Sequence, residues 1–183
     1  MSHQHQDQRV GVFIDVQNMY YSARNLFGAR ANFAEILTEA VGGRRLIRAI
    51  AYVIKAEAPE EAKFFEALGK QGFELKAKDL QVFAGGAKKG DWDVGLAIDA
   101  VSMAPKLDVV VLVTGDGDFV PLVQYLQFLG LRVEVMAFLA SVSQKLRESV
   151  DGFVDLSVAH ERYTIRSKIA SQTRDRSRRP SRR

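Results

Sequence analysis

Five aspartates stand where a chain of this pattern can do metal chemistry. Asp15 follows directly on Val10-Gly11-Val12-Phe13-Ile14, an apolar run with the length of a strand buried on both faces. Asp116 and Asp118 follow a second such run, Val109-Val110-Val111-Leu112-Val113, and Asp91 and Asp93 close a glycine- and lysine-rich stretch leading into a helical pattern. Open α/β sheets bind ligands beyond the carboxyl ends of their strands, so all these carboxylates share one crevice if the two runs are neighbours. Like charges crowded together repel unless a cation sits among them. Oxygen donors without His or Cys suit a hard ion, Mg²⁺ or Mn²⁺. Such an ion can bind phosphate oxygens and lower the pKa of a bound water, which makes phosphodiester hydrolysis the expected chemistry.

Taken singly, most of these acids have a plainer explanation. Asp93 and Asp118 are suitable helix N-caps, and Asp116 between two glycines suits a turn. Asp15 is harder to explain, because an acid ending a continuous apolar strand sits in a costly place. Joint placement at one edge is what favours chemistry. Asn18, one turn from Asp15, and Thr114, ahead of the Gly115-Asp116-Gly117-Asp118 loop, are candidates for hydrogen bonds around the site. Asp99 falls about 120° around the helix from Asp93 and is read as a supporting acid, a salt-bridge partner or a solvent-facing residue.

The elements that must position these residues alternate. Strands are expected at Val10–Ile14, Arg45–Ile54, within Phe73–Ala84, at Asp108–Thr114, at Leu131–Phe138 and, at an edge, Phe153–Leu156. Between them lie helical stretches: Val16–Phe27, Phe33–Val41 after Asn32, one opened by Pro59, Asp93–Met103, Phe119–Phe128 and Ser141–Ser149. Gly85–Gly90 reads as a loop. This alternation predicts a three-layer α/β/α, Rossmann-like sandwich on a mostly parallel central sheet.

Of the 183 residues, 47% are hydrophobic and 26% charged, values usual for a soluble globular domain. No apolar run approaches the roughly 20 residues of a membrane helix. Met1 to Gln8 is polar, so no signal peptide is expected and a cytoplasmic protein is. With no Cys, disulfides and thiolate chemistry are excluded. The net charge of +4 is uneven: Arg162 to Arg183 carries nine basic residues and one acid, leaving the remainder at −4. The expected division is a disordered segment at 1–8, one domain at 9–158, and a basic, largely disordered tail at 159–183.

Three segments together carry a family resemblance. Phe13-Ile14-Asp15-Val16-Gln17-Asn18, Lys89-Gly90-Asp91-Trp92-Asp93 running on to Asp99-Ala100, and Val113-Thr114-Gly115-Asp116-Gly117-Asp118-Phe119 resemble the NYN domain, and within it the LabA-like branch of the PIN-like nuclease superfamily. The resemblance covers roughly Arg9 to Ser157. It implies a PIN-like sandwich and an Mg²⁺- or Mn²⁺-dependent RNA nuclease. The family's acidic positions map onto Asp15, Asp93, Asp116 and Asp118, with Asp91 a neighbouring candidate and Asp99 a recurrent acid of the helix.

Other motifs fit less well. Gly115-x-Gly117 lacks the third glycine of a dinucleotide fingerprint, and Gly86–Asp91 lacks the ending of a P-loop. Lys88 and Lys89 can hold an RNA backbone beside the acids. Tyr20, Tyr21 and above all Trp92, in a polar loop, are candidates to stack on bases. Arg174, Arg176, Arg178 and Arg179 of the tail suit salt-sensitive RNA binding. Two rival readings remain at this point: a non-catalytic RNA-binding or regulatory module, and a homo-oligomer joined through the alternating Arg132/Glu134 strand.

Overall fold

The computed structural model describes residues 5–55, 61–82, 88–89 and 91–166, with residues 81–82 and 88–89 as backbone. Pro59, most of the Gly85–Gly90 stretch and the tail arginines Arg174, Arg176, Arg178 and Arg179 lie outside those residues, as do the side chains of Lys88 and Lys89.

In chain order the elements are β1 (Arg9–Asp15), α1 (Val16–Phe27), β2 (Ala29–Ala31), α2 (Phe33–Val41), β3 (Arg45–Lys55), α3 (Glu61–Lys70), β4 (Glu74–Asp79), β5 (Gln81–Val82) and β6 (Lys88–Lys89). There follow α4 (Asp93–Met103), β7 (Val109–Val113), α5 (Val120–Phe128), β8 (Arg132–Ala137), α6 (Gln144–Ser149), β9 (Gly152–Asp155), α7 (His160–Tyr163) and β10 (Thr164–Arg166). Six strands form one sheet in the order β4-β3-β1-β7-β8-β9, and every neighbouring pair is parallel.

The two-residue period of the strands splits the core into two layers. Val10, Val12, Ile14, Val109, Val111 and Val113 face α1, α2 and α3, where Met19, Ala23, Ile36 and Leu68 are buried. Phe13, Tyr52, Val110, Leu112, Val133 and Val135 face α4, α5 and α6, where Leu96, Ala100, Val123, Leu126 and Leu146 are buried. Each fully buried Val or Leu contributes about 1.5–3 kcal/mol by leaving water, so the central pair β1 and β7 anchors both layers. The expected α/β/α sandwich is the observed one, with a fully parallel central sheet.

Several expectations are corrected. Lys88–Lys89 is not loop: it pairs antiparallel with Gln81–Val82 as a small ribbon. Elements also continue past the expected boundary at residue 158. Strand β10 pairs antiparallel with β2, a short strand the sequence reading missed. Arg162 reaches Glu35 and Glu39 on α2, and Asn32 takes the Arg162 carbonyl through its side-chain amide. Asn32 stands at the N-cap position of α2 but makes no side-chain capping bond. Glu134, finally, is an interior residue, and Arg44 and Arg132 both bind its carboxylate. Burial pushes that carboxyl up, but the two guanidinium groups outweigh it and hold the group below the usual range. Of that alternation, Glu134 thus belongs to a buried ion pair with Arg44, while Arg132 stays half-buried at its edge. Among the described residues, no helix is long and apolar enough to cross a membrane.

Candidate active site

The sheet order reverses between β1 and β7: from β1 the chain moves to β3 and β4 on one side, then returns to β7, β8 and β9 on the other. Connections depart in opposite directions there, and a crevice opens beyond the strand ends. Ile14 pairs with Val113, so Asp15 and Thr114 emerge side by side at that edge.

Asp15 is the N-cap of α1, its Oδ1 accepting the Asn18 N–H at 3.0 Å. Burial pushes its carboxyl up to about 6, the Asn18 N–H works against that shift, and the charges of Asp93 and Asp116 add to it. Asn18 also reaches across the switch point, its Oδ1 accepting the Gly115 N–H at 3.0 Å. Thr114 is fully buried, and its Oγ1 accepts the Asp116 N–H at 3.2 Å. Asp116 in turn caps the following 3₁₀ turn, Oδ1 accepting the Asp118 N–H at 3.0 Å.

The glycines of this loop serve close packing. A Cβ on Gly115 would lie 2.3 Å from the Ser141 carbonyl oxygen, and one on Gly117 would lie 2.7 Å from Ser143 Oγ. The Ser143 N–H donates to the Gly115 carbonyl at 2.9 Å and fixes that approach.

Asp93 arrives from the other side of the cleft. It is the first residue of α4, and Trp92 occupies the N-cap position, so the expected capping role of Asp93 is not the observed one. Trp92 holds the helix start in place: its Nε1–H donates to the Val53 carbonyl at 2.9 Å, and its ring packs on Gly95 and against Tyr52. Lys78 lies 4.4 Å from the centre of that ring. Held by these contacts, the indole lines the cleft, as does Tyr21, which is 50% exposed. Burial pushes the Asp93 carboxyl up, and Asp116, Asp91 and Asp118 push it further.

Asp93, Asp116 and Asp118 each offer a carboxylate oxygen within 4.8 Å of the other two. Asp15 and Asp91 line the same cleft, about 230 Å³ in volume, beside Asn18, Tyr21 and Tyr52. Asp99 lies apart, accepting from the Tyr52 hydroxyl at 2.8 Å and from Lys76 Nζ at 2.7 Å. Tyr52 is one of three cleft residues, with Gln17 and Ile54, that sequence reasoning passed over. Its signal was position: on β3 it pairs with Asp15 at the end of β1, yet in the sequence it reads as one more apolar strand residue.

A parallel sheet in this order, with carboxylates gathered at its switch point, defines a Rossmann-like sandwich of the PIN-like kind with a candidate divalent-cation site. The chain belongs to the NYN domain family, whose model matches residues 9–157. It is similar to the low amplitude and bright protein LabA of Synechococcus elongatus, 24% identical over 164 residues that cover 81% of this chain and 84% of LabA. A crystal structure of a protein of unknown function, VPA0982 from Vibrio parahaemolyticus, shares the fold with a TM-score of 0.80 and 31% identity. That likeness covers 88% of this chain and 99% of the Vibrio chain.

Proposed function

We propose that this protein is a divalent-metal-dependent ribonuclease that hydrolyses RNA phosphodiester bonds within the strand. The observation that carries the reading is the trio Asp93, Asp116 and Asp118, with an oxygen of each inside 4.8 Å. Three carboxylates that close, with raised carboxyls at Asp93 and at neighbouring Asp15, fit a cation of the Mg²⁺ or Mn²⁺ type. Bound there, the ion supplies Lewis-acid polarisation of a phosphoryl oxygen and relief of carboxylate repulsion.

Asp93, Asp116 and Asp118 are the ligands in this reading. Asp15, across the same cleft, completes the set and positions the attacking water. Asn18 ties the Asp116 loop to the start of α1 through the Gly115 N–H, and Thr114 braces the loop locally through the Asp116 N–H. Tyr21 offers an exposed ring for a base at the cleft wall. Lys88, Lys89 and the tail arginines Arg174, Arg176, Arg178 and Arg179 add phosphate contacts.

The test is cleavage of a labelled single-stranded RNA with Mn²⁺, with EDTA, and by the Asp116→Asn variant. Metal-dependent cutting that disappears in the variant, while RNA binding persists, is the expected result. Melting in Mn²⁺ supplies a second readout, because a ligand of the folded state raises its stability by RT ln(1 + [L]/Kd). No cutting, no Mn²⁺ stabilisation and salt-sensitive RNA binding unaffected by EDTA would establish the binding-module reading in its place.

A further inference from the structure

Helix α1 begins at the cleft and runs away from it, with one face buried and the other bare. Val16, Met19 and Ala23 are buried against the sheet, which leaves Tyr20, Tyr21 and Arg24 on the solvent side. Tyr21 lines the cleft, and Tyr20, 36% exposed, meets it edge to face with ring centroids 5.4 Å apart. At the far end Gly28, in the left-handed conformation, closes the helix by donating its N–H to the Ala23 and Arg24 carbonyls. The chain turns directly into β2, where Ala29 and Ala31 are buried and Arg30 points outward. Strand β10 pairs alongside, setting Ile165 opposite Arg30 and Arg166 opposite Ala29.

Among the described residues, Arg24 and Arg30 form no ion pair; Arg166 reaches Glu161 at 3.5 Å with both side chains largely in solvent. From Arg166 the chain runs on into residues 167–183, which hold seven more basic residues and one acid.

We propose that this run, from Tyr21 and Tyr20 through Arg24 to Arg30, is the path of a single-stranded RNA leaving the cleft. The proposal rests on the nuclease reading above and adds where the substrate lies beyond the bond to be cut. Ring faces beside the cleft accept bases with little regard to sequence. Guanidinium groups further on meet successive phosphates. From Tyr21 to Phe27, helix α1 extends the track by about 9 Å at 1.5 Å per residue. An acidic protein would use the arginines only; the tyrosine pair between them and the cleft favours a nucleic-acid strand.

The experiment compares the full chain with its Arg24→Gln/Arg30→Gln variant, measuring binding of labelled single-stranded RNA in EDTA across a salt series. For an RNA of about 20 nucleotides the variant should bind about tenfold more weakly, with the slope of log K against log salt smaller by about 1.4, at 0.7 per phosphate contact. Melting should be unchanged, since both side chains are exposed. Equal affinity and equal salt slope for the long RNA would overturn the path and leave the arginines to an acidic protein partner. The two readings separate cleanly. Mn²⁺-dependent cleavage with unchanged long-RNA binding in the variant keeps the nuclease and removes the path. Absent cleavage with impaired long-RNA binding keeps the track and removes the nuclease.

Discussion

The side-chain carbonyl of Asn18 accepts the backbone N–H of Gly115 at 3.0 Å, joining the first turn of α1 to the loop that follows β7. The same residue donates its own N–H to Asp15. One asparagine thus sets the spacing between the acid that ends β1 and the two acids beyond β7. Replacing Asn18 with Ala leaves the Gly115 N–H unpaired at a cost of about 1–3 kcal/mol. Urea unfolding should show that loss, and the rise in melting temperature on adding Mn²⁺ should be smaller than in wild type. An unchanged Mn²⁺ response would mean that Asn18 does not position the carboxylates.

Asp15→Asn tests the electrostatics of the cleft. An acid whose carboxyl is raised to about 6 in the folded state, from 3.8, still holds its proton there after the unfolded chain has released it. Stability therefore falls as pH rises from about 4 to about 6 and stays lower above that, by about 3 kcal/mol at 1.36 per pKa unit. Asn keeps the N-cap and removes the charge. In EDTA the variant's advantage over wild type should grow across that window and persist at pH 7.5, even though the proposed cleavage is lost. Comparison with wild type at each pH isolates Asp15 from Asp108 and Glu74, whose lowered carboxyls act in the opposite direction. A variant no more stable than wild type at pH 7.5 would contradict the assigned burial cost.

Gly115→Ala places a methyl group 2.3 Å from the Ser141 carbonyl oxygen and 3.1 Å from the Val142 Cα. Backbone cannot rotate away as a side chain can, so the loop must shift, at a cost of about 1–3 kcal/mol. Gly117→Ala meets only the Ser143 hydroxymethyl group and should cost less. Urea midpoints of the two variants, measured side by side, check the order.

At the opposite end of the sheet, Arg44 binds Glu134 through both terminal nitrogens, at 3.1 and 2.9 Å, and the Ala40 carbonyl at 2.7 Å. Arg44→Ala strands a buried carboxylate with Arg132 as its remaining partner, and should destabilise by about 3–5 kcal/mol. Arg44→Met with Glu134→Leu removes the buried pair, leaves half-exposed Arg132 to solvent and the Asp151 carbonyl, and should recover most of that loss. Chemical unfolding of the single and double variants gives the comparison. The Mn²⁺ response of the double variant should match wild type, because the cluster is remote from the cleft.

Much of this protein was legible locally. An acid directly after five apolar residues, and Gly-Asp-Gly-Asp after another five, mark strand ends by composition alone, and so did the alternation of strands and helices. What the local sequence could not decide was adjacency. That β1 lies beside β7, 99 residues on, follows from packing both faces of the whole sheet, and only this pairing turns separate aspartates into one cleft. Trp92 shows the same limit: a polar stretch does not say where its ring goes, and Gly95, Tyr52 and the Val53 carbonyl set it on the cleft wall. Asp99 needed the register of β3 and β4 to bring Tyr52 and Lys76 to it. Arg132 and Glu134 alternate like an exposed strand, but Arg44, 90 positions from Glu134 in sequence, holds the Glu134 carboxylate in the interior. Residue type and spacing determined which groups could do chemistry. Long-range pairing, driven by burial, decided which of them meet.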